Sequence, residues 1–290
     1  MRASSDHRGS ERRGLLLILG AALLWSTGGV AIKAVDAGPL VVSFYRSAIA
    51  AVALFIVVRP TVTRWTRGFV IAAISYAACL TTFVIATKLT TAANAIFLQY
   101  MGVVWVVILS PFTLGERART RDVVTAVVAM GGMALFFLED FDPRGMAGNI
   151  SALFSSVFFA ILILALRSER DASAEAAVSW GNVIVAVSLA PFVARDLAVG
   201  MTSFSLLLFL GIFQIAIAYY LFVRGLRTVR ATQASLTGMI EPVMNPIWVL
   251  MFLGERPSTV ALAGGAIVLG AVTVRTLMAP EKEVVPPPPD

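Results

Sequence analysis

Residues 89–120, LTTAANAIFLQYMGVVWVVILSPFTLGERART, and residues 228–259, TVRATQASLTGMIEPVMNPIWVLMFLGERPST, align without a gap at an offset of 139. LGER falls at 114–117 and again at 253–256. Ala95 meets Ala234, Asn94 meets Gln233, Thr120 meets Thr259, and just beyond the stretch Gly131 meets Gly270. A weaker echo sets ALLWSTGG at 22–29 beside ALFSSVFF at 152–159. The chain therefore reads as two related halves, and the content of each half decides the fold.

Both stretches are apolar enough for hydrocarbon, as is most of the chain. Hydrophobic residues make up 58% and charged residues 14%, with a mean hydropathy of +0.86. Soluble domains hold roughly 45–50% apolar and roughly 25% charged residues. An all-α integral membrane protein is expected, because helices satisfy their own backbone groups where lipid cannot. A crossing takes about 20 apolar residues. Ten such spans are read, at 14–36, 39–58, 68–88, 92–114, 121–138, 147–167, 174–193, 203–223, 231–253 and 257–278. They form a first five-helix repeat (14–138), an outer connection (139–146) and a second five-helix repeat (147–278). A cytoplasmic tail (1–13) precedes them, and a disordered, proline-rich cytoplasmic tail (279–290) follows. Five is odd, so the second half enters the bilayer from the opposite side. An inverted 5+5 repeat is the signature of secondary transporters, whose similar halves can exchange conformations and so alternate access.

Charge orients this arrangement. With the N-terminus in the cytoplasm, 17 of the 23 lysines and arginines fall on the inner side. Lys88, Arg144, Arg195 and Arg256 fall outside, and Lys33 and Arg46 lie within spans. That asymmetry obeys the positive-inside rule with both termini cytoplasmic, and it fits a bacterial inner membrane. The net charge of +6 is thereby spent on loops, and no nucleic-acid partner is expected. The only cysteine is Cys79 and the only histidine His7, which excludes an internal disulfide and a His/Cys metal cluster. No cofactor is expected. A Walker motif, GxSxG and HExxH are all missing, so neither direct ATP drive nor an enzyme is expected.

The costly residues stand at 240–246, IEPVMNP, inside the ninth span. Pro242 lacks an N–H, so the carbonyl of Gly238 loses its helical partner, and Pro246 does the same to the carbonyl of Pro242. Broken backbone at membrane depth is tolerated only where protein or a wet cavity receives it. Glu241 lies near the midplane, where a charge costs about 2.5 kcal/mol or more on insertion scales. Glu241 and Asn245, at i and i+4, share a helix face. Glu241 would bind a substrate ammonium or carry a coupling proton; alternatively it pairs with a buried basic group or backbone and holds helices together. Trp25, Tyr76, Gln99, Tyr100, Gln214 and Tyr219 also fall at mid-depth, and aromatics with a polar tip suit a cavity for amphipathic substrates. For any one of them plain helix packing is the competing role. Lys33 would snorkel to the interface. Arg46 would contact an anionic substrate or make a structural pair. The LGER glutamates would anchor span ends or pair with the adjacent arginine. Trp65 and Trp180 suit the interface or outer shell. The glycine pairs at 28–29, 131–132 and 264–265 permit close helix approach. Gly28, Gly29, Gly238, Pro242 and Pro246 are the candidate hinge positions.

In their order and duplication, these pieces resemble the drug/metabolite transporter superfamily, in its EamA-like ten-helix branch. The pieces are ALLWSTGGVAIK at 22–33 with Pro39 and Arg46, ANAIFLQY at 93–100, both LGER ends and IEPVMNP. The resemblance covers roughly residues 14–278 and is nearest to bacterial exporters of amino acids, aromatic ones included. It implies a basket of ten helices around a central cavity lined by the third, fourth, eighth and ninth spans with the first and sixth. Val103 stands where the family commonly has a proline, which leaves open whether span four bends as span nine does. The expected function is export of small amphipathic metabolites, amino acids foremost, by alternating access. A small-molecule substrate, the bilayer and a coupling proton are the expected partners, and ten spans suffice for a monomer. Export of hydrophobic cations is the alternative within that class. A membrane scaffold without transport, with a dry and filled centre, is the alternative outside it.

Overall fold

The computed structural model describes residues 2–60, 65–116, 118–140, 145–169, 173–253 and 259–277. The second LGER beyond Leu253, most of the outer connection and the C-terminal tail lie outside the described residues, as does the side chain of Pro246. The described residues form helices and no strand.

In chain order the helices are α1 (Arg2–Trp25), α2 (Gly28–Ala34), α3 (Pro39–Val58), α4 (Arg67–Leu89), α5 (Ala92–Tyr100), α6 (Gly102–Thr113) and α7 (Thr120–Asp140). Then come α8 (Met146–Ser168), α9 (Ser173–Val193) and α10 (Met201–Phe209), a π-helical segment (Leu210–Ile217), α11 (Ala218–Leu226), α12 (Ala231–Gly238), α13 (Ile240–Leu253) and α14 (Thr259–Leu277). Local chemistry sets several ends. Thr66 accepts the N–H of Phe69 at the start of α4, and Thr91 accepts that of Asn94 at the start of α5. Each hydroxyl satisfies a helix-end donor that has no intrahelical partner. Pro39 opens α3, where its missing N–H costs nothing. The helix of α1 also runs back through the polar residues that precede the first expected span.

Seven stretches among the described residues are long and apolar enough to cross a membrane: Gly9–Ala34, Pro39–Val58, Arg67–Leu89, Asn94–Thr113, Met146–Ser168, Ala174–Val193 and Met201–Leu226. The remaining expected spans are helical as α7, α12 with α13, and α14; the apolar run of α14, Leu262–Arg275, is shorter. Bulky apolar side chains such as Leu16, Ile56, Val57, Phe112, Val127, Val187, Phe192 and Met251 stand exposed around the outside. A surface that apolar belongs in lipid rather than in water.

Four expected spans are not continuous helices. The first is interrupted at Ser26–Thr27, whose hydroxyls donate to Leu23 O (2.6 Å) and Leu24 O (2.7 Å). The indole N–H of Trp248 pins that break by donating to Ser26 Oγ at 2.7 Å. The fourth span breaks at Met101 and the ninth at Met239. The break in the fourth settles the question that Val103 raised: it forms without a proline. Just past the break, Gly102 lets α6 approach α8 closely, since a Cβ there would lie 2.9 Å from the backbone O of Ser156. The eighth span passes through the π-helical segment, a feature that concentrates at functional sites.

Packing brings α4 against α8 and α9, α3 against α9 and the π segment, α1 against α11 and α12, and α5 and α6 against α8. The last helices of the two halves, α7 and α14, pack together; a Cβ at Gly132 would lie 2.9 Å from Gly264 O. Gly131 and Gly270 meet nothing within 4 Å, so that aligned pair is not a close approach.

Candidate functional site

The four interruptions converge. Trp25 ends α1, Gln99 lies in the last turn of α5, Gln214 and Ile215 belong to the π segment, and Glu241 lies in the first turn of α13. All of them line one buried cavity, joined by Arg46 from α3, Cys79, Leu80 and Phe83 from α4, Phe159 from α8 and Tyr219 from α11. Its volume is about 30 Å³, room for a water or two and not for a metabolite. A larger groove of about 600 Å³ runs between α1, α12, α13 and α14, walled by Leu15, Leu16, Leu19, Ile240 and Val272. It carries no buried charge, so the small cavity is the chemically equipped one.

Glu241 is buried, and its carboxyl is held by Tyr100. Tyr100 Oη lies 2.6 Å from Gly238 O and 2.8 Å from Glu241 Oε2. The carbonyl that Pro242 strips of its helical donor is thus met by a hydroxyl from the other half of the chain. Tyr100 has one hydroxyl hydrogen and two acceptors. A protonated Glu241 that donates to Oη, while Oη donates to Gly238 O, satisfies all three groups without a buried charge. An ionised Glu241 competes with Gly238 for the same hydrogen. Geometry alone therefore makes this cluster a place where a proton can be held or released. No basic group pairs with Glu241 among the described residues; the partner of its carboxyl is the Tyr100 hydroxyl.

Arg46 is 2% exposed. Its Nη2 donates to Gln214 Oε1 at 2.7 Å, while Nε and Nη1 have no acceptor. The partner that the fold gives Arg46 is thus an amide on the π segment, and no acid pairs with it among the described residues. Trp25 also keeps an unpartnered N–H, and its ring lies among Tyr219 (4.9 Å between centroids), Phe222 (5.0 Å) and Phe159 (6.4 Å). Gln99 donates to Ser155 Oγ at 2.8 Å, and Ser155 donates to Cys79 O at 3.1 Å.

Of the residues singled out from sequence, Trp25, Gln99, Gln214, Tyr219 and Glu241 line the cavity, and Tyr100 stands behind Glu241. Tyr76 does not reach it; its ring packs on Tyr219 at 4.7 Å and its hydroxyl accepts from Asn182 Nδ2 at 2.8 Å. Asn245 does not reach it either. Its Oδ1 sits against Gly29, where a Cβ would lie 3.0 Å away, one turn further along α13 than Glu241. At Gly28 a Cβ would come within 2.7 Å of Gln214 Nε2, so this glycine makes room for the cavity amide. Lys33 is exposed and donates to Thr90 O at 2.6 Å. Glu116 of the first LGER accepts from Arg167 Nε at 2.9 Å and from the Ala231 N–H at 3.1 Å, while its neighbour Arg117 lies outside the described residues. Sequence reasoning left Phe159 and Ser155 out. The weak echo of ALLWSTGG in ALFSSVFF aligns Trp25 with Ser155, and that was the signal available for the serine.

The EamA-like transporter family model matches residues 12–138 and again 146–277. An uncharacterized transporter of Archaeoglobus fulgidus is 24% identical over 264 residues, which cover 91% of this chain and 96% of that protein. The uncharacterized transporter YwfM of Bacillus subtilis is 27% identical over 290 residues, covering 92% and 95%. A solved crystal structure superposes with a TM-score of 0.78 at 19% identity, covering 92% of this chain and 99% of the other, which shows the fold.

Proposed function

We propose that this chain, which belongs to the EamA-like transporter family, is a secondary exporter of small amphipathic metabolites, amino acids foremost, working by alternating access through the central cavity. The observation that carries the reading is the convergence of four interrupted helices on one buried polar cavity. Discontinuous helices at mid-depth are how transporters present polar groups to a substrate while keeping their backbone satisfied. At about 30 Å³ the cavity must open for any metabolite to enter, and alternating access supplies that motion.

The proposal includes ten spans in an inverted 5+5 repeat, both termini cytoplasmic, in a bacterial inner membrane. Several features support the repeat. The family model matches each half separately. The interruptions in the fourth and ninth spans fall at nearly aligned positions, Met101 and Met239. The helix contacts also stay the same kind when the halves are exchanged: third span with sixth as eighth with first, third with seventh as eighth with second. Even the hydrogen bonds repeat, with Asn182 to Tyr76 joining seventh and third spans and Arg46 to Gln214 joining second and eighth. Glu241 is proposed as the ammonium site or the coupling-proton site, and Gly28, Gly29, Gly238, Pro242 and Pro246 as the points about which walls move.

The test is counterflow in liposomes preloaded with unlabelled amino acids, with phosphorylated metabolites and a lipophilic cation alongside. Labelled amino acids are expected to accumulate. Glu241→Gln separates the two roles: exchange kept with the response to a pH gradient lost marks a coupling-proton site, and exchange lost in folded protein marks the ammonium site. A lipophilic cation exchanging alone would transfer the assignment to hydrophobic cations, a reading favoured by Glu241 standing beside Trp25, Tyr219 and Phe159. Folded protein that exchanges nothing would return the scaffold.

A further inference from the structure

We propose that Arg46 and Trp25 form a carboxylate subsite on the cavity wall, so that the transported species is a zwitterion held by its carboxylate there and by its ammonium at Glu241. This rests on the reading of the cavity as the substrate site and names the substrate class.

Arg46 is almost wholly buried, yet among the described residues its Nε and Nη1 have no acceptor and no carboxylate pairs with it. Trp25 Nε1 lacks an acceptor too, and both residues line the same cavity. A desolvated guanidinium without a counter-ion is among the costliest groups a protein can keep. It cannot relieve that cost by giving up its proton. Water admitted to the cavity, or an anionic ligand, must supply the acceptors. The bond from Nη2 to Gln214 Oε1 anchors the guanidinium on the cavity wall and leaves Nε and Nη1 without acceptors. A planar fork with free donors matches a carboxylate. Phosphate esters fit poorly, because Lys33 is exposed and committed to Thr90 O, which leaves Arg46 as the cation on the cavity wall. A simple cation fits poorly as well, since the unneutralised guanidinium repels it. Arg46 and Glu241 share the cavity without an ion pair between them. A guanidinium without a counter-ion and a carboxyl that ionises when an ammonium arrives, kept apart in one desolvated site, favour a molecule that carries both signs and reject molecules that carry one.

The experiment compares each amino acid with its decarboxylated amine and its deaminated acid. Phenylalanine, phenethylamine and 3-phenylpropionate form one set, and leucine, isoamylamine and 4-methylpentanoate another. Counterflow is measured for the wild type, Arg46→Gln, Arg46→Lys and Trp25→Phe, with tryptophan fluorescence and a thermal melt to show folding. The wild type is expected to exchange the amino acid and not the amine. Arg46→Gln is expected to lose on the order of 100-fold in apparent affinity for the amino acid. Arg46→Lys recovers part of that, Trp25→Phe loses on the order of 5-fold, and the amine improves as a competitor in Arg46→Gln. Should Arg46→Gln fail to fold, Arg46→Lys and the wild-type selectivity between acid and amine decide. Wild-type affinity for the amino acid in either arginine variant overturns the subsite, and so does a wild type that exchanges amine and amino acid alike. A wild type that exchanges the deaminated acid but no amino acid keeps the subsite and sinks the amino-acid reading. Exchange confined to amines sinks both.

Discussion

At the residue scale, Tyr100 and Glu241 show how a helix break is repaired. Pro242 removes a donor, Gly238 is left with a bare carbonyl, and a tyrosine 138 positions earlier supplies the hydrogen. Tyr100→Phe should therefore cost about 1–3 kcal/mol, toward the lower end because unfolded membrane segments also find partners. Denaturant titration in detergent reads that cost. An unchanged midpoint would mean that water already serves the Gly238 carbonyl. The same variant removes the only hydrogen-bond partner that the described structure gives the Glu241 carboxyl, so its transport response to a pH gradient should change as well. The proline and the acid were legible from sequence, since both are expensive in hydrocarbon. Their partner was not, because nothing in a tyrosine at position 100 says which carbonyl it will face.

At the element scale, the fourth and ninth spans break at nearly the same place in different local settings. Proline accompanies the break in α12–α13, whereas the break in α5–α6 has no proline beside it and is followed by a glycine at a tight helix contact. Gly102→Ala would push a Cβ against the Ser156 carbonyl of α8, a backbone atom that cannot swing aside, and should destabilise by about 1–3 kcal/mol. The glycine pair at 131–132 offers an internal comparison. Gly132→Ala meets Gly264 O across the α7–α14 contact and should weaken it, whereas Gly131→Ala points into open space and should be neutral or stabilise by about 0.4–1 kcal/mol. Thermal melts of the two variants, side by side, check the assignment. Spacing identified the glycine pairs, but only the packed helices tell which member of a pair is against a neighbour.

At the scale of the whole molecule, the arginine-rich ends are tied across the two halves. Glu116 accepts from Arg167 and from the first N–H of α12, and Arg167 Nη1 donates to Leu226 O (2.8 Å) and Arg227 O (2.9 Å). Asp122 pairs with the buried Arg275 between α7 and α14, and within the second half Glu175 pairs with Arg224 and Arg227. Alternating access requires part of this network to open when the cavity faces that side. Cys79, the only cysteine, lines the cavity and is free, so it reports the opening. Maleimide labelling of Cys79 from the arginine-rich side should be slow in the wild type and several-fold faster in Glu116→Gln. Equal rates in both would mean that these contacts hold the fold together and do not gate the cavity.

Hydropathy, the 139-residue offset and the distribution of arginines were enough to identify a helical membrane protein with two related halves, because each is a property of composition and spacing along one dimension. They also marked the ninth span as the place where regular helix fails. Which polar groups meet was decided only by tertiary structure. The π segment that carries Gln214, the unpaired Arg46, the separation of Asn245 from the cavity and the link from Glu116 to Arg167 depend on helix rotation and depth, and these are set by packing between spans. A side chain's chemistry is written in its own position, but its partner lies on another helix, and only the packed bundle brings the two within hydrogen-bonding distance.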